Sequence, residues 1–567
     1  MKTIRRLTAS LFALGLIANP CLGQAHLGRA PGINLGAGVL AYDNSTLIFA
    51  DLIRGAGTFN GFRGVEPVPA YDAKGWPTRV DASTGPTSLV VALYADLPVG
   101  WYTLTAKGVG RVRLSGGFDG QFWREVTFNG DGLPRRVYLP TGGVPRFWQI
   151  EFMMVESRAS NPIRDVSFVL PGHVGRTFYQ RYLDDLKPFS TLRIMDWQAT
   201  NGSKQVNWSD RTASQKFSYR GRGRIEEETA CELANLLGKD LWICIPALAS
   251  DDYVRRLARL VDQHLDPRLR LYVEFSNEVW NTGMPQWSQL MALRDQNNQG
   301  LGAWEWIARR DGRLVNLFKS RVSPSRACIR VLARQAGYQA TLTVALKQYQ
   351  ADGYRFDAIS CAGYFVSKTN LNTATTQYKT NPSAAVTSVI NGLYGSIPEI
   401  AAQVAWYKAK ADWYGVPLVL YEGGQHVNYW QNDNATPLLI AVNRDPRMGL
   451  AYSHFINALP SSIGGVCWYA DSGTYSKWGC WGLKERTGQS SATAHKYRAV
   501  TQGYTSGLTV AAPPPSGSHV SKRDTMYSGM SSGLDLGDYG WDGAYQTPEW
   551  TGDQGEIEPI GSREDQP

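Results

Sequence analysis

The 567-residue chain is 43% hydrophobic and 19% charged, which allows two to four ordinary domains and excludes disorder throughout. Its mean hydropathy of −0.29 excludes a polytopic membrane protein. The formal net charge of +9 could draw an anionic partner, but no long basic run or zinc-finger spacing accompanies it, so nucleic acid is not expected.

Residues 1–25 have the form of a secretory signal peptide: Lys2, Arg5 and Arg6 lead, Leu7 to Ala18 is apolar, and Gly23 and Ala25 precede His26. The apolar stretch is shorter than the roughly 20 residues a membrane span needs, so secretion is expected and no membrane span. The mature chain then keeps Cys231, Cys244, Cys328, Cys361, Cys467 and Cys480, none in a CxxC pair, and no metal site is expected. Export permits disulfides. Cys467 with Cys480 is the pair most expected to form, and the other four lie in apolar text where a reduced buried thiol is usual.

Residues 26–168 form a loop-rich approach followed by a β-rich region. From Gly32 to Val80 no period stands out. From Ser88 onward, SLVVALYADL, GWYTLTAKG, GRVRLSGGF, REVTFNG, RRVYLP, FWQIEFMMV and IRDVSFVLPG recur about every ten residues, the pattern of an antiparallel β-sandwich or jelly roll.

Residues 169–505 change rhythm, with apolar runs alternating with amphipathic helical text. DVSFVLP, TLRIMDW, LWICIPA, RLYVEFSNE, ACIRVLARQ, FDAISCAGYF, PLVLYEGG and GGVCWYAD make eight candidate strands, so the fold class expected is α/β, a (β/α)8 TIM barrel. A doubly wound sheet is the alternative, though no GxGxxG turn follows a first strand. Residues 506–567 open with APPPSGS, lack any period and are acidic, and they read as a disordered tail. Tyr539, Trp541, Tyr545 and Trp550 leave room for a tethered binding peptide there.

In a barrel the functional side chains project from the carboxyl ends of the strands. The fourth strand ends in Asn277-Glu278 and the seventh in Glu422, followed by Gly423 and Gly424. Two carboxyls facing each other across one rim suit glycoside hydrolysis, in which one protonates the leaving oxygen and the other attacks the anomeric carbon or activates water. The plainer reading makes Glu278 a helix cap and Glu422 a turn residue. Apolar Phe275, Val279 and Trp280 flank Glu278, as a proton donor requires, whereas glycines follow Glu422. The 19 Trp and 28 Tyr suit sugar stacking or a large β-rich core equally.

LRIMDWQATN, LANLLGKDLWICIPALASDDYV, YVEFSNEVWN and LYEGGQH resemble the clan A retaining glycoside hydrolases, in particular secreted proteins loosely labelled cellulose-binding. The likeness spans most of residues 160 to 500. It implies that Glu278 is the acid/base, Glu422 the nucleophile, and Asn277 a partner of the sugar 2-hydroxyl. Arg193 matches the clan's arginine beside the nucleophile, or else makes a structural ion pair. Tyr364 either donates to the same carboxylate or packs the rim. Trp468 matches the sugar-stacking position, with Trp478 and Trp481 as competitors, and Asp196, Trp197 and Asn201 are subsite candidates or loop structure. Pro246 is followed by Ala247 where related sequences carry histidine, which loses one polar contact.

The expected activity is therefore retaining hydrolysis of a β-linked polysaccharide or oligosaccharide, without a cofactor. A non-catalytic carbohydrate binder on a barrel and a transglycosylase are the alternatives. No GxSxG turn stands at the end of a candidate strand, and no HExxH helix or phosphate loop occurs. The basic body suits an anionic glycan, or simply well-solvated helices.

Overall fold

Three residues within the text that read as loop, Gly32–Asn34, form strand β1 of a computed structural model. It describes residues 30–503 except 40–44, 62–69, 96, 117–121, 140–147, 213–215, 298–299 and 430; the expected signal peptide and tail lie outside the described residues.

After β1 come β2 (Asn60–Gly61), β3 (Thr87–Ala95), β4 (Gly100–Lys107), β5 (Val109–Gly116), β6 (Phe122–Asn129), β7 (Arg135–Leu139), β8 (Trp148–Ser157) and β9 (Arg164–Val169). They pair antiparallel as a five-stranded sheet, β2-β3-β8-β5-β6, and a three-stranded one, β7-β4-β9. Burial at every second residue of β5 is the mark of a sheet covered on one face, and Leu104, Val112, Leu114, Phe152 and Phe168 supply the buried side.

The remaining strands are β10 (Thr191–Arg193), β11 (Asp240–Ile245), β12 (Leu271–Phe275), β13 (Cys328–Ala333), β14 (Ala358–Phe365), β15 (Leu418–Gln425) and β16 (Cys467–Trp468). Both β12 and β15 are buried at every position, as parallel strands covered on both faces must be. With β1 between β10 and β16, the eight run parallel in sequential order. Leu420 N–H donates to Gly465 O at 2.9 Å, and Leu420 bridges Val466, which brings the two ends of the sheet together as a near-closed barrel. Helices such as Glu227–Leu237, Asp251–His264, Ala303–Lys319, Ala340–Ala351 and Pro382–Trp413 connect successive strands. This arrangement fits a TIM barrel and excludes a doubly wound order. No helix among the described residues is long and apolar enough to cross a membrane.

Two expectations are corrected. DVSFVLP, counted as the first barrel strand, is β9 and pairs antiparallel with β4; β1 takes its place in the barrel. The antiparallel sheets therefore sit inside the first βα connection, on the side where the barrel strands end. The segment between β2 and β3 touches the loop after β10, where Trp76 stacks on Phe217 at 4.1 Å. Cys467 and Cys480 are buried thiols that are not joined in a disulfide. The Cys467 thiol lies against Gly32 in the β1–β16 ladder, whereas that of Cys480 contacts the Ser476 carbonyl at 3.9 Å.

Candidate active site

The carboxyl end of β12 turns sharply. Ser276 and Glu278 have φ of 53° and 42°, a left-handed conformation costing a non-glycine residue about 1–2 kcal/mol. That turn brings Asn277 and Glu278 inward, where they are nearly buried. On β15 a bulge does similar work. Cys361 pairs with Leu420 and Ala362 with Glu422, so Tyr421 is an extra residue in the ladder. Tyr421 and Glu422 both reach the barrel interior as a result, although neighbours on a regular strand point to opposite faces.

Arg193, at the end of β10, is 0% exposed and organises the centre. Its Nη1 donates to Glu422 Oε1 at 2.8 Å and to Asn34 Oδ1 at 2.9 Å. Its Nη2 donates to Asn277 Oδ1 and Glu274 Oε2, both at 2.9 Å, and Nε to Glu274 Oε2 at 3.1 Å. All five N–H groups of the guanidinium are thereby used. The rings of Trp242 and Tyr421 lie 5.7 and 5.2 Å from its carbon, and their π faces suit a cation.

The two candidate carboxyls are treated differently. Glu422, 4% exposed, accepts from Arg193 on one oxygen and from the Tyr364 hydroxyl at 2.7 Å on the other. Hydrogen bonds between a guanidinium and a carboxyl are shorter and stronger than those between neutral groups. Glu278, 8% exposed, accepts from the Tyr421 hydroxyl and from Asn281 Nδ2, each at 3.1 Å. Burial, with the Glu422 charge adding to it, pushes Glu278 up to about 7 despite those two bonds. The site thus contains one carboxyl held by a cation and one inclined to keep its proton.

Other candidates divide. Asn201 joins the group, its Oδ1 accepting from Asn277 Nδ2 at 3.1 Å and from Gln286 at 3.0 Å. Asp196 faces the opening and accepts from the Tyr469 hydroxyl at 3.0 Å; burial, followed by the Glu422 charge, raises it to about 7. Trp197 and Trp468 are corrected. Both are 0% exposed. Trp468 packs outward on Tyr452 and Phe455 of helix Pro446–Ala458, so a sugar has no access to its face.

The next residue, Tyr469, is only partly buried, and its hydroxyl lies on Asp196. Rings follow one another around the opening from Tyr364 to His426 at 5.5 Å, to Trp481 at 5.9 Å and to Tyr469 at 6.1 Å. Burial lowers His426 to about 4, so this ring is neutral at neutral pH. The sequence reading missed Tyr469, Asn34, Tyr421, Asn281 and Glu274. Glu274 alone left a clear signal, a charge inside the apolar run LYVEF. Among the described residues no cluster of His, Cys, Asp or Glu could hold a metal ion.

No protein-family model and no curated protein matches the chain. Among solved structures, a GH51 arabinofuranosidase from Xanthomonas axonopodis pv. citri is similar over 51% of this chain, with 13% identity and a TM-score of 0.32. A glucosidase from Croceicoccus marinus is similar over 56%, with 13% identity and a TM-score of 0.34. The chain spans 59% and 63% of those two proteins. The GH53 catalytic domain of Ignisphaera aggregans is similar over 58% of this chain and 90% of its own length, with 10% identity and a TM-score of 0.33.

Proposed function

We propose that the chain is a glycoside hydrolase that cleaves a β-linked polysaccharide with retention of configuration. The observation that carries the reading is the unequal pair of carboxyls at one barrel opening: Glu422 held by Arg193 and Tyr364, and Glu278 raised to about 7 by burial beside it. Glu422 attacks the anomeric carbon while Glu278 gives its proton to the departing oxygen. A covalent glycosyl–enzyme results. Glu278, now ionised, takes a proton from water, and that water displaces Glu422. Retention by this route calls for the two carboxyls to lie about 5–5.5 Å apart.

Asn277, tied to Arg193 and Asn201, keeps one amide N–H for a sugar hydroxyl, and the ring series from Tyr364 to Tyr469 offers apolar faces to pyranose rings. The signal-like residues 1–25 support an extracellular or periplasmic site of action.

Reducing-end release from a panel of β-glycans tests the reading, with Glu422→Ala as control. Wild type should release sugar and the variant none. Proton NMR of the first-formed anomer should show the substrate's configuration, and an inverted anomer would remove the covalent step. Silence of both forms on every glycan they bind leaves a carbohydrate-binding protein. Products longer than the substrate indicate transglycosylation.

A further inference from the structure

Glu274 stands four residues before Glu278 and is 1% exposed. Its two oxygens have unequal surroundings. Oε2 accepts from Arg193 Nε at 3.1 Å, Arg193 Nη2 at 2.9 Å and Trp242 Nε1 at 2.9 Å, and more weakly from the Cys244 thiol at 3.8 Å. Oε1 is buried with no hydrogen-bond partner. An ionised carboxylate spreads its charge over both oxygens and suffers from one being dry and unpaired. In a neutral acid the carbonyl oxygen takes the donors, and an unpaired hydroxyl on the other oxygen costs less in a dry site than an unpaired charged oxygen.

Counting charges leads to the same assignment. The groups facing Glu274 are Arg193 from β10, Trp242 and Cys244 from β11, and Tyr421 and Glu422 from β15. Arg193 is the one cation among them, and Glu422 already accepts from its Nη1. A second ionised carboxylate would leave a net negative charge in a dry interior, which costs more than its pairing returns. Burial is the largest influence on Glu274 and raises it to about 7, with Arg193 opposing and the Glu422 charge adding to the rise.

We propose that Glu274 is a positioning residue that aims Arg193 at Glu422 while itself holding a proton, so that the arginine's charge goes undivided to one carboxylate. The inference rests on reading Glu422 as the nucleophile. It differs from a buried salt bridge in a measurable way, because the oxygen acceptor of Glu274 matters and its charge does not.

The test compares Glu274→Gln with Glu274→Leu in the full chain. The glutamine keeps an oxygen acceptor for the three N–H donors, so its kcat should stay within about threefold of wild type, whereas the leucine releases the guanidinium and should lose about 10²-fold in kcat at little cost in KM. The acid limb of kcat/KM should coincide in wild type and Glu274→Gln, because wild-type Glu274 is already neutral there. A glutamine variant as impaired as the leucine one, or an acid limb moved to lower pH by relief of a repelling charge, overturns the proposal. Infrared spectra provide a reading independent of catalysis and of the leucine variant's folding. Glu278 and Asp196 also hold protons at pH 6, so the reading is the wild-type minus Glu274→Gln difference spectrum: it should contain one protonated-carboxyl component, and a difference without one overturns the proposal. If wild type hydrolyses no glycan, the nucleophile reading fails by itself and the infrared band still decides where the proton lies.

Discussion

At the scale of single residues, Glu278 and Glu422 owe their difference to partners and not to side-chain chemistry, since both are glutamates. Because burial raises Glu278 to about 7, its acidic form is lost as pH rises through that value, and kcat/KM on a polymer should fall on the alkaline side. Glu278→Ala should remove that limb and impair polymer cleavage far more than cleavage of aryl glycosides whose leaving group needs no proton; equal losses on both would argue against an acid role. The Tyr364 hydroxyl on Glu422 is a hydrogen bond to a charged group, worth about 1.5–3 kcal/mol, so Tyr364→Phe should lower kcat by roughly 10- to 100-fold with the fold intact by circular dichroism. Both glutamates and Asn277 could be found from the sequence because short polar text follows an apolar run. Trp468 and Tyr469 show the limit. Both are aromatic at the end of one strand, and only packing against Tyr452 and Phe455 assigns Trp468 to the helix layer.

Among the elements, β15 and β1 depart furthest from their sequence patterns. PLVLYEGG reads as a plain buried strand, yet the bulge opposite Ala362 inserts Tyr421 so that its hydroxyl reaches Glu278 while Glu422 meets Arg193. A bulge depends on the register with β14, which nothing in the β15 text encodes. Strand β1 is too short for any period, and its place is decided by two neighbours that supply all its ladder bonds. Gly32 is needed there. A Cβ would come 2.5 Å from the Cys467 sulfur and 3.3 Å from its Cα, so Gly32→Ala must push β1 off β16. A thermal melt should show it several degrees below wild type, at a cost of about 1–3 kcal/mol typical of overpacking. An unchanged Tm would mean that the β1–β16 seam carries little of the barrel's stability.

For the whole molecule, the decisive fact is that the barrel does not begin where its rhythm begins. The change from alternating to helical text near residue 169 is real, but the eighth strand of the ring lies far upstream, with two antiparallel sheets between it and the rest. A polypeptide of residues 169–505 should therefore fail to fold, because the ring opens between β10 and β16 and Arg193 loses Asn34. Near-ultraviolet circular dichroism should show no fixed aromatic environment, whereas residues 26–505 should give a cooperative melt; a well-folded shorter piece would overturn this. By itself the sequence determined the strand and helix types over most of the chain and the two acidic strand ends, because periodicity and the residues that end a run are local properties. Only the tertiary structure decided which strand closes the ring, which aromatic faces the opening and how one guanidinium is shared among two carboxyls and two amides. Those outcomes depend on register and burial between segments hundreds of residues apart, and no local pattern carries that information.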